Sequence, residues 1–441
     1  MKRLLPLLLC AVLALFCATT AQAAGVSITL TASEYALHYA FDAGAQDPFV
    51  ILEYATPAEK GWMMLYSEDG HFEGDVSLAY SGAGGKTSVA LTSARTTGSI
   101  GKASTTLPKA ADYQKPTGKS NAKVTDFVLT ETPEGFHYAF NAAGTDYMLL
   151  YWRSKEQTVT QPVYPDENGH YEGDVVSELT FARTQFTVQV KSGSGSMKKE
   201  ATVRKGYQAP EAPQRQEGRL SGVTVCIDAG HQENGRFVNE PIGPGLSGST
   251  SGKGGMAQGT KTNRRESIVC LEIGMLLRDE LLRQGANVVM TREDQTTFHT
   301  NIERCEIAEA GGAQIMLRLH CNNSSNHSKR GIQVYGPLNS DYAKAVADAD
   351  TYREMGQKLL DAMKTRVGMT LANSTGMVRL NDNYVGNNWA KMMCFLVEMG
   401  YLSNPAEEYL LVTPVYQQWL AEGMADGVYE IAVARGWVQA Q

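Results

Sequence analysis

Two histidines and two glutamates, His231, Glu266, His320 and Glu398, carry the chemistry legible in this 441-residue chain. Imidazole nitrogens and a carboxylate are donors that hold a zinc ion, and a further carboxylate beside them can move a proton. Two neutral imidazoles and one carboxylate leave such an ion an open fourth position for water, whose pKa then falls to about 7. The combination is that of metal-assisted hydrolysis. Each residue alone has a plainer reading. A histidine after a strand is often a structural hydrogen-bonder, Glu266 suits the positive end of a helix, and Glu398 suits a salt bridge. Convergence of all four on one edge has no plain reading.

The surrounding elements predict that convergence. Apolar runs without alternation at 223–228, 287–290, 315–319 and 331–335 read as short strands buried on both faces. Ile268, Leu271, Leu276 and Leu282 mark a helix over 265–284, and Ile302 and Ile307 mark another. Strand and helix in alternation predict an α/β domain over 220–441 with a mostly parallel twisted sheet. Ligands gather beyond the carboxyl ends of such strands. His231 follows the first run through a turn containing Gly230, and His320 ends the third. Glu398 ends the run Cys394-Phe395-Leu396-Val397, and Glu266 opens the long helix after a glycine-rich loop.

From residue 223 to 437 the chain resembles the zinc-dependent N-acetylmuramoyl-L-alanine amidases, of the type 3 catalytic domain, which cleave bacterial peptidoglycan. Ile227-Asp228-Ala229-Gly230-His231 resembles the family's first ligand motif, with Ala229 where proline is usual. The loop Asn239-Glu240-Pro241-Ile242-Gly243-Pro244-Gly245, leading to Glu266, and the segments Thr291-Arg292-Glu293-Asp294 and Glu303-Arg304 fit as well. Leu317-Arg318-Leu319-His320-Cys321-Asn322 is similar to the second histidine motif, with Cys321 in place of the commoner alanine. Val397-Glu398-Met399-Gly400-Tyr401-Leu402-Ser403-Asn404-Pro405 resembles the catalytic-glutamate motif. The resemblance implies Zn2+ as cofactor, His231, Glu266 and His320 as its ligands, and Glu398 as general base and acid. It also implies the substrate, the amide between the lactyl group of N-acetylmuramic acid and the L-alanine of the stem peptide.

Three flanking residues are expected at the substrate or behind the ligands. Asp228 and Asn322 are placed to orient them. Arg304 is placed to pair with a substrate carboxylate or with a structural acid. Cys321 points away from His320 in extended chain and reads as core. Two histidines and a carboxylate also suit a non-haem iron(II) oxygenase, a reading that leaves Glu398 idle and fits an exported chain poorly. Rivals that keep the fold are a wall-binding or adhesive protein on an inactive amidase scaffold, and a zinc peptidase acting on another wall amide. The intact set of four residues argues against the first.

The first half of the chain repeats itself. His38-Tyr39-Ala40-Phe41 recurs as His137-Tyr138-Ala139-Phe140, and Gly70-His71-Phe72-Glu73-Gly74-Asp75-Val76 as Gly169-His170-Tyr171-Glu172-Gly173-Asp174-Val175, both at an offset of 99 residues. Alternating apolar residues predict half-buried strands, and Asp69-Gly70 and Asn168-Gly169 predict hairpin turns. The expectation is two tandem all-β sandwich-like repeats, at 24–110 and 122–207, then a linker at 208–219. His38 and His137 lie opposite the aromatics, and a solvated sheet face is the plain reading of their surroundings.

Lys2 and Arg3, the apolar run 4–16 and Ala21-Gln22-Ala23 have the three-part layout of a secretory signal peptide over 1–23. No other stretch is apolar and long enough for a membrane span. The expected location is therefore outside the cell and associated with its wall, with peptidoglycan as the partner. A net charge of -7 argues against a general nucleic-acid binder. Beyond the leader, Cys226, Cys270, Cys305, Cys321 and Cys394 sit in apolar settings that predict buried thiols, and an odd number leaves at least one unpaired.

Overall fold

The computed structural model describes residues 19–21, 25–96, 98–115, 123–132, 135–154, 157–176, 185–204, 211–232, 238–250, 255–262, 264–367 and 377–440. The leader expected over 1–23 lies outside them save for Thr19–Ala21, as do residues 208–210 of the linker. The chain divides into an N-terminal unit through Lys205 and a C-terminal unit from Gly206.

The N-terminal unit is built of antiparallel strands. In its first half Ile28–Ser33, Ala36–Asp42 and His71–Ser77 pair side by side, and in its second half Val124–Thr132, Gly135–Ala142 and His170–Val176 do the same. Alternation sends Leu37, Tyr39 and Phe41 into one core and Phe136, Tyr138 and Phe140 into the other. Phe41 stacks on Phe72 and Phe140 on Tyr171, so the repeated motifs are repeated contacts. Gly74 and Gly173 pair across from Tyr39 and Tyr138, whose hydroxyls leave no room for a Cβ at either position. That crowding explains why each motif carries glycine between its two acids.

The second layer departs from two separate sandwiches. A single eight-stranded sheet runs in the order Met197–Arg204, Gln185–Lys191, Met148–Arg153, Gln157–Val163, Glu59–Tyr66, Phe49–Ala55, Gly85–Ser93, Ser99–Leu107. The two halves join where Gln157, Thr158 and Val159 pair with Gly61, Lys60 and Glu59. Each of those strands would otherwise be an edge with unpaired backbone groups. Glu59, buried at the seam, accepts from Tyr80 N, Ser81 Oγ and Gln157 Nε2.

In the C-terminal unit the strands are β1 (Thr224–Ala229), β2 (Asn287–Met290), β3 (Ile315–Asn322), β4 (Gln333–Gly336), β5 (Met377–Leu380) and β6 (Met393–Tyr401). They form one sheet in the order β2-β1-β3-β6-β4-β5. The sheet is mixed: β4 runs antiparallel to β6, and the other neighbours are parallel. β1 and β3 are buried almost throughout, as their unbroken apolar runs require. The helix α1 (Glu266–Arg283) buries Val269, Cys270, Ile273, Leu277 and Leu281, and α2 (Asn301–Ala310) starts at a capping box between Thr300 and Glu303. Two longer helices, α3 (Ala349–Val367) and α4 (Pro414–Ala434), pack on each other. Among the described residues the five cysteines, Cys226, Cys270, Cys305, Cys321 and Cys394, are free and buried. Among the described residues no helix is long and apolar enough to cross a membrane.

Candidate active site

His231 comes two residues after β1, with a left-handed backbone (φ 58°) that is costly for a residue with a Cβ. The turn is held from beneath. Arg292, itself buried, donates from Nε to Ala229 O (2.7 Å) and from Nη2 to Gly230 O (2.9 Å) and Ser267 O (2.7 Å). Arg304 adds bonds from Nη1 to Ala229 O (2.9 Å) and from Nη2 to His231 O (3.2 Å). Gly230 itself leaves no space for a side chain, since a Cβ would meet Leu319 O and the His320 ring at 2.5–2.8 Å. His231 and His320 stand with ring centroids 4.9 Å apart, edge to face.

Glu266, the first residue of α1, lies beneath both rings. Its Oε1 is 3.1 Å from His231 Nε2 and 2.9 Å from His320 Nδ1, and accepts from Cys321 N (3.0 Å). Oε2 accepts from Ala257 N (2.8 Å). One ligand atom from each of His231, Glu266 and His320 falls within 4.8 Å of the others. Burial pushes the Glu266 carboxyl up, but its bonds to the two histidines outweigh this and hold it well below the ordinary range. Burial lowers His320, which keeps that imidazole neutral and able to offer a lone pair. Glu398 sits directly across from His320 in the β3–β6 register, so both side chains emerge on one face. Burial, with the negative charge of Glu266, pushes its carboxyl up to about 8. Glu398 Oε2 and His320 Nε2 are buried without hydrogen-bond partners. A neutral-nitrogen and carboxylate donor set with an orphaned acid beside it fits a divalent zinc-type ion.

The expected flanking residues take definite places. Asp228 is fully buried and accepts from Thr291 Oγ1 (2.8 Å), Arg318 Nε (2.9 Å) and Arg304 Nη1. Burial acts to raise its pKa, and the two guanidinium groups override that and hold it low. Arg304 spends its guanidinium on Asp228 and the His231 turn, although it also borders the cleft. Asn322 Nδ2 donates to Gln333 Oε1 (3.2 Å) at the cleft wall. The cleft is about 820 Å³ and takes in His231, Glu266, His320, Glu398, Phe298 and Tyr384. His299 borders it too. Sequence reasoning assigned no role to Arg292, Arg318 or Glu240. Glu240 caps α2 by accepting from Ile302 N (2.8 Å) and Asn301 Nδ2 (2.7 Å). For Arg318 the signal in the sequence was a charge set inside an apolar run, Leu317-Arg318-Leu319.

Residues 225–430 match the profile of the family described as N-acetylmuramoyl-L-alanine amidase. The C-terminal unit belongs to that family. The chain is 26% identical over 231 residues to the germination-specific N-acetylmuramoyl-L-alanine amidase of Bacillus subtilis, covering 49% of this chain and 83% of that one. It is 27% identical over 218 residues to the probable cell wall amidase LytH of Staphylococcus aureus, covering 48% of this chain and 60% of that relative's length. Among solved structures, the N-acetylmuramoyl-L-alanine amidase from Clostridium difficile 630 aligns with a TM-score of 0.38 and 24% identity, over 48% of this chain and 96% of that chain. All three alignments cover about half of this chain, as the family match does.

Arg292 ties the amidase unit's His231 turn to the first turn of α1, and so to Glu266. Replacing it with methionine keeps the bulk but removes its bonds to Ala229 O, Gly230 O and Ser267 O. Ala229 O keeps Arg304 and Ser267 O keeps Gln295, so Gly230 O loses the most. Zinc affinity is expected to fall roughly 10–100-fold, the usual effect of losing an outer-shell partner, with partial recovery in Arg292→Lys. Chelator competition reads this directly, and unchanged affinity in Arg292→Met would refute the brace.

Proposed function

We propose that the chain is a secreted peptidoglycan hydrolase that cleaves the amide between the muramic acid lactyl group and L-alanine. The observation carrying this reading is the convergence of His231, Glu266 and His320 beside Glu398 within a unit of the amidase family. We assign the three as ligands of Zn2+ and Glu398 as the catalytic residue. A bound divalent ion supplies Lewis acidity toward the amide oxygen and acidifies water. The remaining work belongs to the protein. Glu398 Oε2 takes the proton of the attacking water and gives it to the leaving nitrogen of L-alanine. Burial and the charge of Glu266 raise this carboxyl, which strengthens it as a base toward water. Phe298 and Tyr384 line the cleft beside these four residues. Asp228, held by Arg304 and Arg318, fixes the end of β1 from which His231 projects.

Residues 1–23 serve in this reading as the export leader, 24–110 and 122–207 as the two β repeats, 208–219 as the linker and 220–441 as the catalytic domain. Zymography on peptidoglycan tests the activity: clearing by the wild type and none by Glu398→Gln is expected, and clearing by neither refutes it. Residues 220–441 alone are expected to cleave short soluble muropeptides at near the full-length rate, because all four site residues lie there. The same fragment should pellet less with insoluble sacculi, since a tethered module raises local concentration without new active-site contacts. Equal pelleting would remove the targeting role of the repeats.

A further inference from the structure

The cleft wall beyond Glu398 is built around Tyr384, which follows β5 and borders the cleft with Glu398, His320 and Asn322. Its backbone is held on both sides. Asn381 N donates to Gly336 O (3.1 Å), Asn383 N to Asn381 Oδ1 (2.9 Å) and Asn388 Nδ2 to Asp382 O (2.9 Å). The short helix Val385–Trp389 closes the turn, with Asn388 N donating to Tyr384 O (3.1 Å). Gly386 in that helix lies against the Arg318 guanidinium, which leaves no room for a Cβ. Tyr384 thus projects from a fixed turn, and its ring meets that of Tyr335 with centroids 5.1 Å apart and planes at 61°.

A backbone N–H sets the direction of the hydrogen bonds behind that ring. Asn323 N donates to Asn322 Oδ1 (2.8 Å), so the other end of that amide, Nδ2, is what meets Gln333 Oε1 (3.2 Å). Tyr335 gives its one hydroxyl proton to the same Oε1 (2.6 Å). Toward Tyr384 it can offer only its oxygen. The hydrogen bond between the two phenols therefore runs from Tyr384 to Tyr335. Burial, then Tyr335 and the charge of Glu398, push the Tyr384 phenol up, so it keeps its proton at neutral pH. What Tyr384 has left for the cleft is a lone pair on its oxygen.

The sheet order decides which part of a substrate meets that oxygen. The neighbouring strands β1, β3, β6 and β4 carry His231, His320, Glu398 and Tyr335 in turn, with Tyr384 against the last. In the proposed cleavage the amide oxygen belongs over the histidines and the leaving nitrogen beside Glu398. The same direction, continued, runs onto β4 and Tyr384. The stem peptide leaves on that side. Its first N–H past the scissile bond is the one between L-alanine and the second residue.

We propose that Tyr384 is a specificity-determining residue whose hydroxyl oxygen accepts the N–H joining L-alanine to the second residue of the stem peptide. The contact favours substrates that carry a second stem residue, and the inference rests on the proposed cleavage.

Steady-state kinetics of the zinc-loaded full-length chain on two soluble substrates test this. One is N-acetylmuramoyl-L-alanyl-D-isoglutamine, and the other carries an ester oxygen in place of that N–H. The wild type is expected to show a KM roughly 3–10-fold higher on the ester, the worth of one neutral hydrogen bond, with kcat kept. Tyr384→Phe, which removes only the oxygen, should raise KM on the amide by the same factor and no longer tell the two substrates apart. Its zinc content and circular dichroism should match the wild type. An unchanged KM on the amide in Tyr384→Phe would overturn the proposal. Equal losses on the amide and the ester would overturn it too, since they would make Tyr384 a packing residue or a donor. Cleavage of neither substrate by the wild type would instead refute the proposed reaction, and the inference with it.

Discussion

Glu398→Gln is expected to keep the fold and the full zinc content while losing about 10²–10⁴ in turnover, the usual contribution of a positioned proton-transfer group. Glutamine has nearly the same shape, and Glu398 Oε2 has no hydrogen-bond partner to forfeit. Glutamine carries no charge beside Glu266, so the substitution adds no repulsion to the ligand shell. An amide cannot accept the proton of water or return one to a leaving nitrogen. Circular dichroism and metal analysis should therefore match the wild type, with the loss confined to the rate on a soluble muropeptide. A near wild-type rate would mean that Glu398 is not the base.

His320→Ala should behave differently, losing metal and activity together. It removes a nitrogen 2.9 Å from Glu266 Oε1 at the centre of the donor set. The expected loss of zinc affinity exceeds the roughly 10–100-fold typical of an outer-shell partner. Excess zinc should restore little of the rate. Read together, the two variants separate holding the ion from moving the proton. Full zinc occupancy in His320→Ala would refute its assignment as a ligand.

The four residues were legible because each follows an unbroken apolar run or opens a periodic helix, and those signals fix where a chain turns. Strand ends in a sheet of parallel neighbours lie together, so reading β1, β3 and β6 was enough to bring His231, His320 and Glu398 to one edge. Direction was not legible at β4: a four-residue apolar strand looks the same whether it runs with or against β6. The seam between Gln157–Val163 and Glu59–Tyr66 was hidden for a related reason, since pairing of distant segments leaves no local period. The supports of the site were the least visible. Asp228, Arg292, Arg304 and Arg318 are buried charges that satisfy one another and nearby carbonyls. In sequence Asp228 and Arg318 look like single interruptions of hydrophobic runs, while Arg292 and Arg304 stand beside other charges as surface residues do. Only the fold shows that Arg304 spends itself on Asp228 and the His231 turn.

Mass spectrometry of the products that the zinc-loaded chain releases from purified peptidoglycan tests the proposed reaction most directly. Stem peptides beginning with a free L-alanine amine, together with glycan strands carrying free lactyl carboxyls, are expected from the wild type and not from Glu398→Gln. Peptides cut within the stem, or saccharides with new reducing ends, would contradict it.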